Sequence, residues 1–275
     1  MIRPSELPLA ADGSLYHIHL TSDTLADKVL LVGDPGRVEM FKGIFDSVEH
    51  ESHNRELHAV TGRYHGSRMT ALSTGMGCDN IDIVMTELDV AADGRQLQVV
   101  RIGTSGSLQE DIDCGSRVAS VCAIGFDGLM NYYSEWETPV AEMESAFDAH
   151  MGLDGRLAHP YCVRGSRLLL NKMAPDMHHG ITATAPGFYG PQGRTVRLHP
   201  SIESLNEKLA AFRYDGLPVT NLEMETSAIY GFSHMLGHEA LTVCLIIANR
   251  PKGTFLNDYH EPMRQLVGTV VERLA

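Results

Sequence analysis

Three short stretches of the chain hold side chains whose types and spacing could do chemistry. In LVGDPGRVEMF (31–41) an apolar run stops at Gly33-Asp34-Pro35-Gly36, Arg37 follows, and helical spacing resumes. A glycine-bearing turn between a strand and a helix start lets backbone approach a ligand and leaves N–H groups pointing outward, which makes an anion site. A plain strand-to-helix connection has the same composition. In RIGTSGS (101–107) the hydroxyls of Thr104, Ser105 and Ser107 stand among Gly103 and Gly106. The stretch reads as a small-residue loop able to nest an oxyanion. Arg101 lies in an otherwise apolar run and needs an anionic partner there, either a ligand or an internal carboxylate. Glu223 and Glu225 in NLEMETSAIYG (221–231) are two apart. That is the spacing of a glycosidase-like carboxylate pair, or of acidic residues at the positive end of a helix.

Composition limits what these groups can act on. With 275 residues and 43% hydrophobic content the chain can bury a sizeable core. A net charge of −13 argues against nucleic acid as the main partner, so an anionic ligand has to be caught by a local cluster of arginines. The longest apolar run, LTVCLIIA (241–248), is far too short to span a bilayer, and the N-terminal stretch has no apolar signal core. Five scattered cysteines without a C-x-x-C pair fit the reduced thiols of a cytoplasmic protein. Of the fourteen histidines, HIH (17–19) and HH (178–179) lack a carboxylate at ligand spacing, and HESH (50–53) falls one residue short of H-E-x-x-H. Metal catalysis is therefore not expected. Gly75-Met76-Gly77 begins a dinucleotide fingerprint, but Asn80 stands where its third glycine belongs, and no P-loop motif occurs. No nucleotide cofactor is expected.

The elements that must position these groups alternate along the chain without a linker or repeat. Strands are expected at 28–32, on both sides of a glycine turn in 56–74, and at 98–103, 117–125, 180–185 and 240–248. Helical spacing follows Arg37, with Val38, Phe41, Ile44 and Phe45 on one face. It recurs at 79–92 with Asp79 as N-cap, and at 201–212, 224–236 and 258–275. This predicts one α/β domain over 1–275, a mixed sheet with helices on both faces, and ligands at the carboxyl ends of strands.

GDPGR (33–37), STGMG (73–77), RIGTSG (101–106) and NLEMETSAIYG (221–231), in that order, resemble the family-I nucleoside phosphorylases. GFYGPQGR (187–194) resembles the pyrimidine-reading loop of the family's uridine-cleaving branch. The likeness runs from about Tyr16 to the C-terminal helix. It implies a central mixed, partly barrel-like sheet and phosphorolysis of uridine to uracil and ribose 1-phosphate. Inorganic phosphate is then a co-substrate, with no cofactor.

The resemblance also assigns residues. Phosphate falls to Gly33, Arg37, Arg101 and Thr104, with Arg55 reaching in from a neighbouring subunit. The ribose falls to Thr104, Glu223, Met224 and Glu225, with His17 from the neighbour at the 5′-hydroxyl. The base falls to Phe188, Gln192 and Arg194. Arg101, Thr104 and Glu225 are the implied catalytic groups. A homo-oligomer with shared sites follows, either a dimer or a trimer of dimers. Purine-cleaving relatives place a Ser-Asp pair after the last core strand, where this chain has Asn249 and Arg250. Relatives that bind a monovalent cation such as K+ use the glutamate matching Glu56 and a serine where this chain has Asn80. Two other readings stay open from the residues alone: a purine phosphorylase or nucleosidase of the same fold, and a nucleoside-binding protein without turnover.

Overall fold

A computed structural model describes residues 2–275. In chain order its elements are β1 (Lys28–Val32), α1 (Val38–Lys42), β2 (Ser47–Asn54), β3 (Leu57–Tyr64), β4 (Ser67–Ser73) and α2 (Cys78–Ala92). Then come β5 (Gln98–Ser107), β6 (Arg117–Gly125), α3 (Ala141–Met151), β7 (Tyr161–Arg164), α4 (Arg167–Met173) and β8 (His178–Thr184). The chain finishes with α5 (Leu205–Ala211), β9 (Arg213–Tyr214), β10 (Leu217–Glu223), α6 (Thr226–Leu236), β11 (Glu239–Asn249), β12 (Thr254–Phe255) and α7 (His260–Leu274). No helix among the described residues is long and apolar enough to cross a membrane.

The strands form one mixed sheet in the order β12-β11-β6-β8-β10-β5-β1-β4-β3-β2. A further pairing of β11 with β5 closes β5, β11, β6, β8 and β10 into a five-stranded barrel. Closure explains why the run 241–248 is continuously apolar. β11 has the barrel interior on one side and helices on the other, so both of its faces are buried. β1, β4, β3 and β2 extend from β5 as an open wing.

Helices cover the sheet in three packed clusters. One joins α2 and α6 through Ile81, Met85, Leu88, Ile229 and Phe232. A second seats α1, α4 and α7 through Phe41, Leu169, Leu266 and Val270. A third holds α3 and α5 through Phe147, Leu205 and Leu209. Helix α7 shows the cause most clearly: Met263, Leu266, Val267, Val270, Val271 and Leu274 recur at three- and four-residue steps, and all are buried.

The structure corrects several expectations. RIGTSGS is a strand rather than a loop: β5 continues to Ser107, paired with β11 along its length and with β10 at Gly106 and Ser107. From Ile102 to Ser105 it pairs with β11 alone, and its other edge opens on the space between β1 and β10. Continuous pairing with β11 holds this glycine- and serine-rich stretch extended, with Ile102 and Thr104 as its strand-favouring residues. Helix α2 is capped by Gly77, at φ 98°, and Asp79 lies in its first turn. Helix α1 stops at Lys42, before Ile44 and Phe45, and α5 begins at Leu205 rather than 201. Strands β2, β7, β9 and β10 and helices α3 and α4 lie in stretches whose periodicity gave no clear signal.

Candidate active site

The carboxyl ends of β1, β4, β5 and β10 converge on a cavity of about 670 Å³. That volume suits a drug-sized ligand. Gly33, Arg37, Arg101, Thr104, Phe188, Gln192, Arg194, Glu223, Met224 and Glu225 all line it, with Glu56 on one side. Ten residues expected to share a site therefore do so within one chain. His17 and Arg55 do not line the cavity. Arg55 is exposed at the tip between β2 and β3 with φ 56°, and His17 is held elsewhere by Glu87, its Nδ1 2.5 Å from Oε1.

The cavity floor is an ion-paired cluster. Arg101, 3% exposed, places Nη1 3.1 Å from Glu223 Oε2 and donates through Nη2 to Glu225 Oε2. Gly103 makes room for it, because a Cβ there would fall 2.2 Å from Nη1. The carboxylates are fixed in turn. Glu223 accepts from the Thr184 hydroxyl at 2.6 Å and from the backbone N–H groups of Glu225 and Thr226 at 2.9 and 3.0 Å. It thus occupies the N-terminus of α6, where the helix dipole favours an anion. Glu225 Oε1 accepts from Gly77 N at 2.8 Å, which ties β10–α6 to the start of α2. Burial opposes the charge on Arg101, but Glu225 and Glu223 outweigh it and raise its pKa above the ordinary arginine range. Burial, then repulsion from Glu223, raises the pKa of Glu225 against the pull of Arg101. In this state the internal-carboxylate alternative for Arg101 holds.

Beside this cluster, the β1 turn holds Arg37. Asp34 Oδ1 accepts from Gly36 N at 2.8 Å and caps the tight turn Pro35–Arg37. The turn aims Arg37 inward, 8% exposed, with its guanidinium 5.7 Å from the centre of the Tyr259 ring. Its Nε is buried without a hydrogen-bond partner among the described residues.

The opposite end is built on the 187–194 loop. Gln192 is 3% exposed, in a turn closed by Gly193 at φ 69°. Arg194 Nη1 donates to Gln192 Oε1 at 2.6 Å and to the Phe188 carbonyl at 2.5 Å, and its guanidinium stacks 3.7 Å from the Phe188 ring. Arg250 Nη2 donates to the Gln192 carbonyl at 3.0 Å, and its aliphatic stem packs where a Cβ of Gly106 would point. Burial, then the charge of Arg250, pushes the Arg194 pKa down to about 10. Sequence reasoning gave Arg250 no role; its signal was an arginine directly after a fully apolar strand. Its neighbour Asn249 is turned away, donating to the carbonyls of Gln109, Glu110 and Ile112.

At Glu56 the nearest side-chain group is the Asn80 amide, whose Nδ2 lies 3.4 Å from Oε1. An amide donor, not an oxygen ligand, faces the carboxylate there.

Comparison with known proteins gives a consistent picture. Residues 27–274 match the family model of the phosphorylase superfamily. The uridine phosphorylase of Thermococcus kodakarensis is 30% identical over 91% of this chain and 83% of its own. A DeoD-type purine nucleoside phosphorylase of Oceanobacillus iheyensis is 28% identical over 84% of this chain and 85% of its own. Among solved structures, a Trypanosoma brucei nucleoside phosphorylase described as showing uridine phosphorylase activity superposes with a TM-score of 0.87 at 30% identity, covering 98% of both chains.

Proposed function

The chain belongs to the phosphorylase superfamily, as a nucleoside phosphorylase of family I, and within it we propose that it cleaves uridine with phosphate to uracil and ribose 1-phosphate. The observation that carries this reading is the polarity of one cavity. Arginines and carboxylates sit together at the floor, and Gln192 and Arg194 stand at the far end with no carboxylate between them.

Phosphorolysis needs three things: a held phosphate dianion below the sugar, support for positive charge growing on the ribose, and donors for negative charge leaving on the base. Arg37 and Arg101 serve the first, with Gly33 backbone and the Thr104 hydroxyl, because guanidinium–phosphate contacts are short and directional. Phosphate takes over the Arg101 guanidinium, and Glu225 is then free to accept from the ribose hydroxyls. Glu223, anchored on Thr184 and α6, keeps Glu225 and Met224 in place beside the sugar. Arg194 and the Gln192 amide meet the uracil carbonyls, with Phe188 against the ring. Fixed donors at a developing charge contribute about 10²–10³ in rate each.

The same geometry disfavours a purine leaving group. Protonating a purine ring nitrogen calls for an acid at the end of β11, and Asn249 there is committed to three backbone carbonyls. His17 and Arg55 then act in the cavity of a neighbouring copy, which makes the active form a homo-oligomer with shared sites.

The deciding experiment is uracil release from uridine with and without phosphate, run beside inosine. Release that requires phosphate and spares inosine supports the proposal. Inosine turnover overturns the base assignment, and saturable binding without turnover overturns the enzyme reading. Sharing of sites is tested by mixing Arg55→Ala and Glu225→Gln proteins, each inactive alone. Recovered activity on subunit exchange is the expected result.

A further inference from the structure

HESH (50–53) is a histidine-rich motif outside the cavity, and folding completes it. Glu51 and His53 lie on one face of β2, and His58 on β3 is the direct cross-strand partner of His53. Glu39 is supplied by α1. One donor atom from each of these four residues lies within 4.8 Å of the other three. We propose that Glu39, Glu51, His53 and His58 form a binding site for a divalent first-row transition ion of the Zn²⁺ class, clamping the β2–β3 hairpin to α1.

Several features suit such an ion. Two imidazoles and two carboxylates are the donor set of borderline cations, and side-chain rotations bring donors already within 4.8 Å of one another to the spacing of a four-coordinate cage about 2.0–2.2 Å in radius. Nε2 of His58 is 3.0 Å from Glu51 Oε1, and Nε2 of His53 is 3.4 Å from the same oxygen. His58 is 2% exposed, and its other nitrogen lies 3.4 Å from the Pro35 carbonyl. Without an ion Nε2 holds its hydrogen bond to Glu51; with an ion bound, an N–H at Nδ1 directed to that carbonyl frees the Nε2 lone pair for the metal, the usual outer arrangement of a metal-bound histidine.

Lys42 fills the ion's place in the metal-free protein, its ammonium 2.9 Å from Glu51 and 3.3 Å from Glu39. It lies on the surface and can swing into solvent when a divalent ion arrives. His53, stacked on His58 at 3.6 Å between ring centres, is 60% exposed and free to turn so that both nitrogens converge. The clamp closes next to the hairpin tip that carries Arg55 and Glu56. A bound ion therefore stiffens the segment proposed above to reach a neighbouring subunit.

The test is titration of tag-free, chelator-stripped protein with Zn²⁺ by calorimetry, with Co²⁺ absorption reporting the coordination geometry. One Zn²⁺ per chain is expected, with little response to Mg²⁺ or Ca²⁺. His53→Ala and Glu39→Gln, both at exposed positions, weaken binding at least tenfold. Lys42→Met tightens it several-fold by removing the competing cation. Thermal unfolding of each variant without metal confirms the fold, and Zn²⁺ raises the midpoint of the wild type but not of His53→Ala. No saturable site in either the wild type or Lys42→Met, equal binding of Ca²⁺, or affinity unmoved by the variants overturns the proposal.

Discussion

The two ends of the cavity handle arginine in opposite ways. At the floor, Arg101 extends from a barrel strand, is shielded from water, and is neutralised by Glu223 and Glu225. At the far end, Arg194 and Arg250 come from a loop and a strand end, lie near each other, and donate to an amide oxygen and to carbonyls rather than to carboxylates. Burial and mutual repulsion lower the Arg194 pKa, while the carboxylates raise that of Arg101. The floor is thus a balanced network that holds its shape before ligand arrives. The far end keeps positive charge that no carboxylate hydrogen-bonds, the feature on which the proposed reading of the base rests.

This contrast breaks or holds under four changes. The largest effect is expected from Arg101→Ala, which leaves two buried carboxylates facing each other. Phosphorolysis should fall by about 10³-fold. The unfolding midpoint should drop by about 10 °C, since stripping one partner from a buried pair costs about 3–5 kcal/mol. A variant that loses activity with its melting curve unchanged would show that the floor is not a structural network.

Next comes Arg194→Ala, expected to lower kcat/KM for uridine by about 10² while the melting curve stays in place. The comparison fails if this loop variant destabilises the protein as much as the floor variant does. Asn249→Asp should give no inosine cleavage, because the side chain points at the carbonyls of 109, 110 and 112. Instead it should lower the melting midpoint by a few degrees as a carboxylate is pressed against acceptors. Product analysis with inosine and a thermal melt decide both halves.

The smallest effect belongs to an ion pair outside both ends. Glu51 is ordinarily half-protonated near 4.5 and in the folded chain near 2. A depressed carboxylate stabilises the fold above its ordinary pKa, and that share is lost as pH falls from about 4.5 to 2. Glu51→Gln should flatten that part of the melting-midpoint profile slightly, the pair being exposed and screened.

Much of the site was legible because chemistry-bearing residues cluster at the ends of apolar runs. Gly33 and Arg37 follow KVLLV, and Glu223 and Glu225 precede an apolar helix. The elements with a strong period were equally plain, as in α7 and the doubly buried β11. RIGTSGS was misread as a loop because its glycines and serines carry little strand propensity and break the apolar pattern of the run before them. Its pairing comes from β11 along its whole length, from β1 at Arg101 and from β10 at Gly106 and Ser107. Arg250 went unassigned because its meaning depends on the 187–194 loop, more than fifty positions earlier in the chain. The four-residue cluster around HESH was out of reach for the same reason, since Glu39 and His58 join it only when α1 and β3 pack.

By itself, then, the sequence determined an alternating α/β chain, cysteines without a disulfide pattern, an arginine-bearing glycine turn at a strand end, and the residue types that line the cavity. These are local properties, set by periodicity, by turn chemistry, and by what may stand next to what along one chain. Only the tertiary structure decided that β5 and β11 meet to close a barrel and that Arg101 is claimed by two carboxylates at once. It also decided that Asn249 faces away from the cavity. Those outcomes depend on which distant backbones share hydrogen bonds and on how deeply each charge is removed from water, and both exist only once the chain has closed on itself.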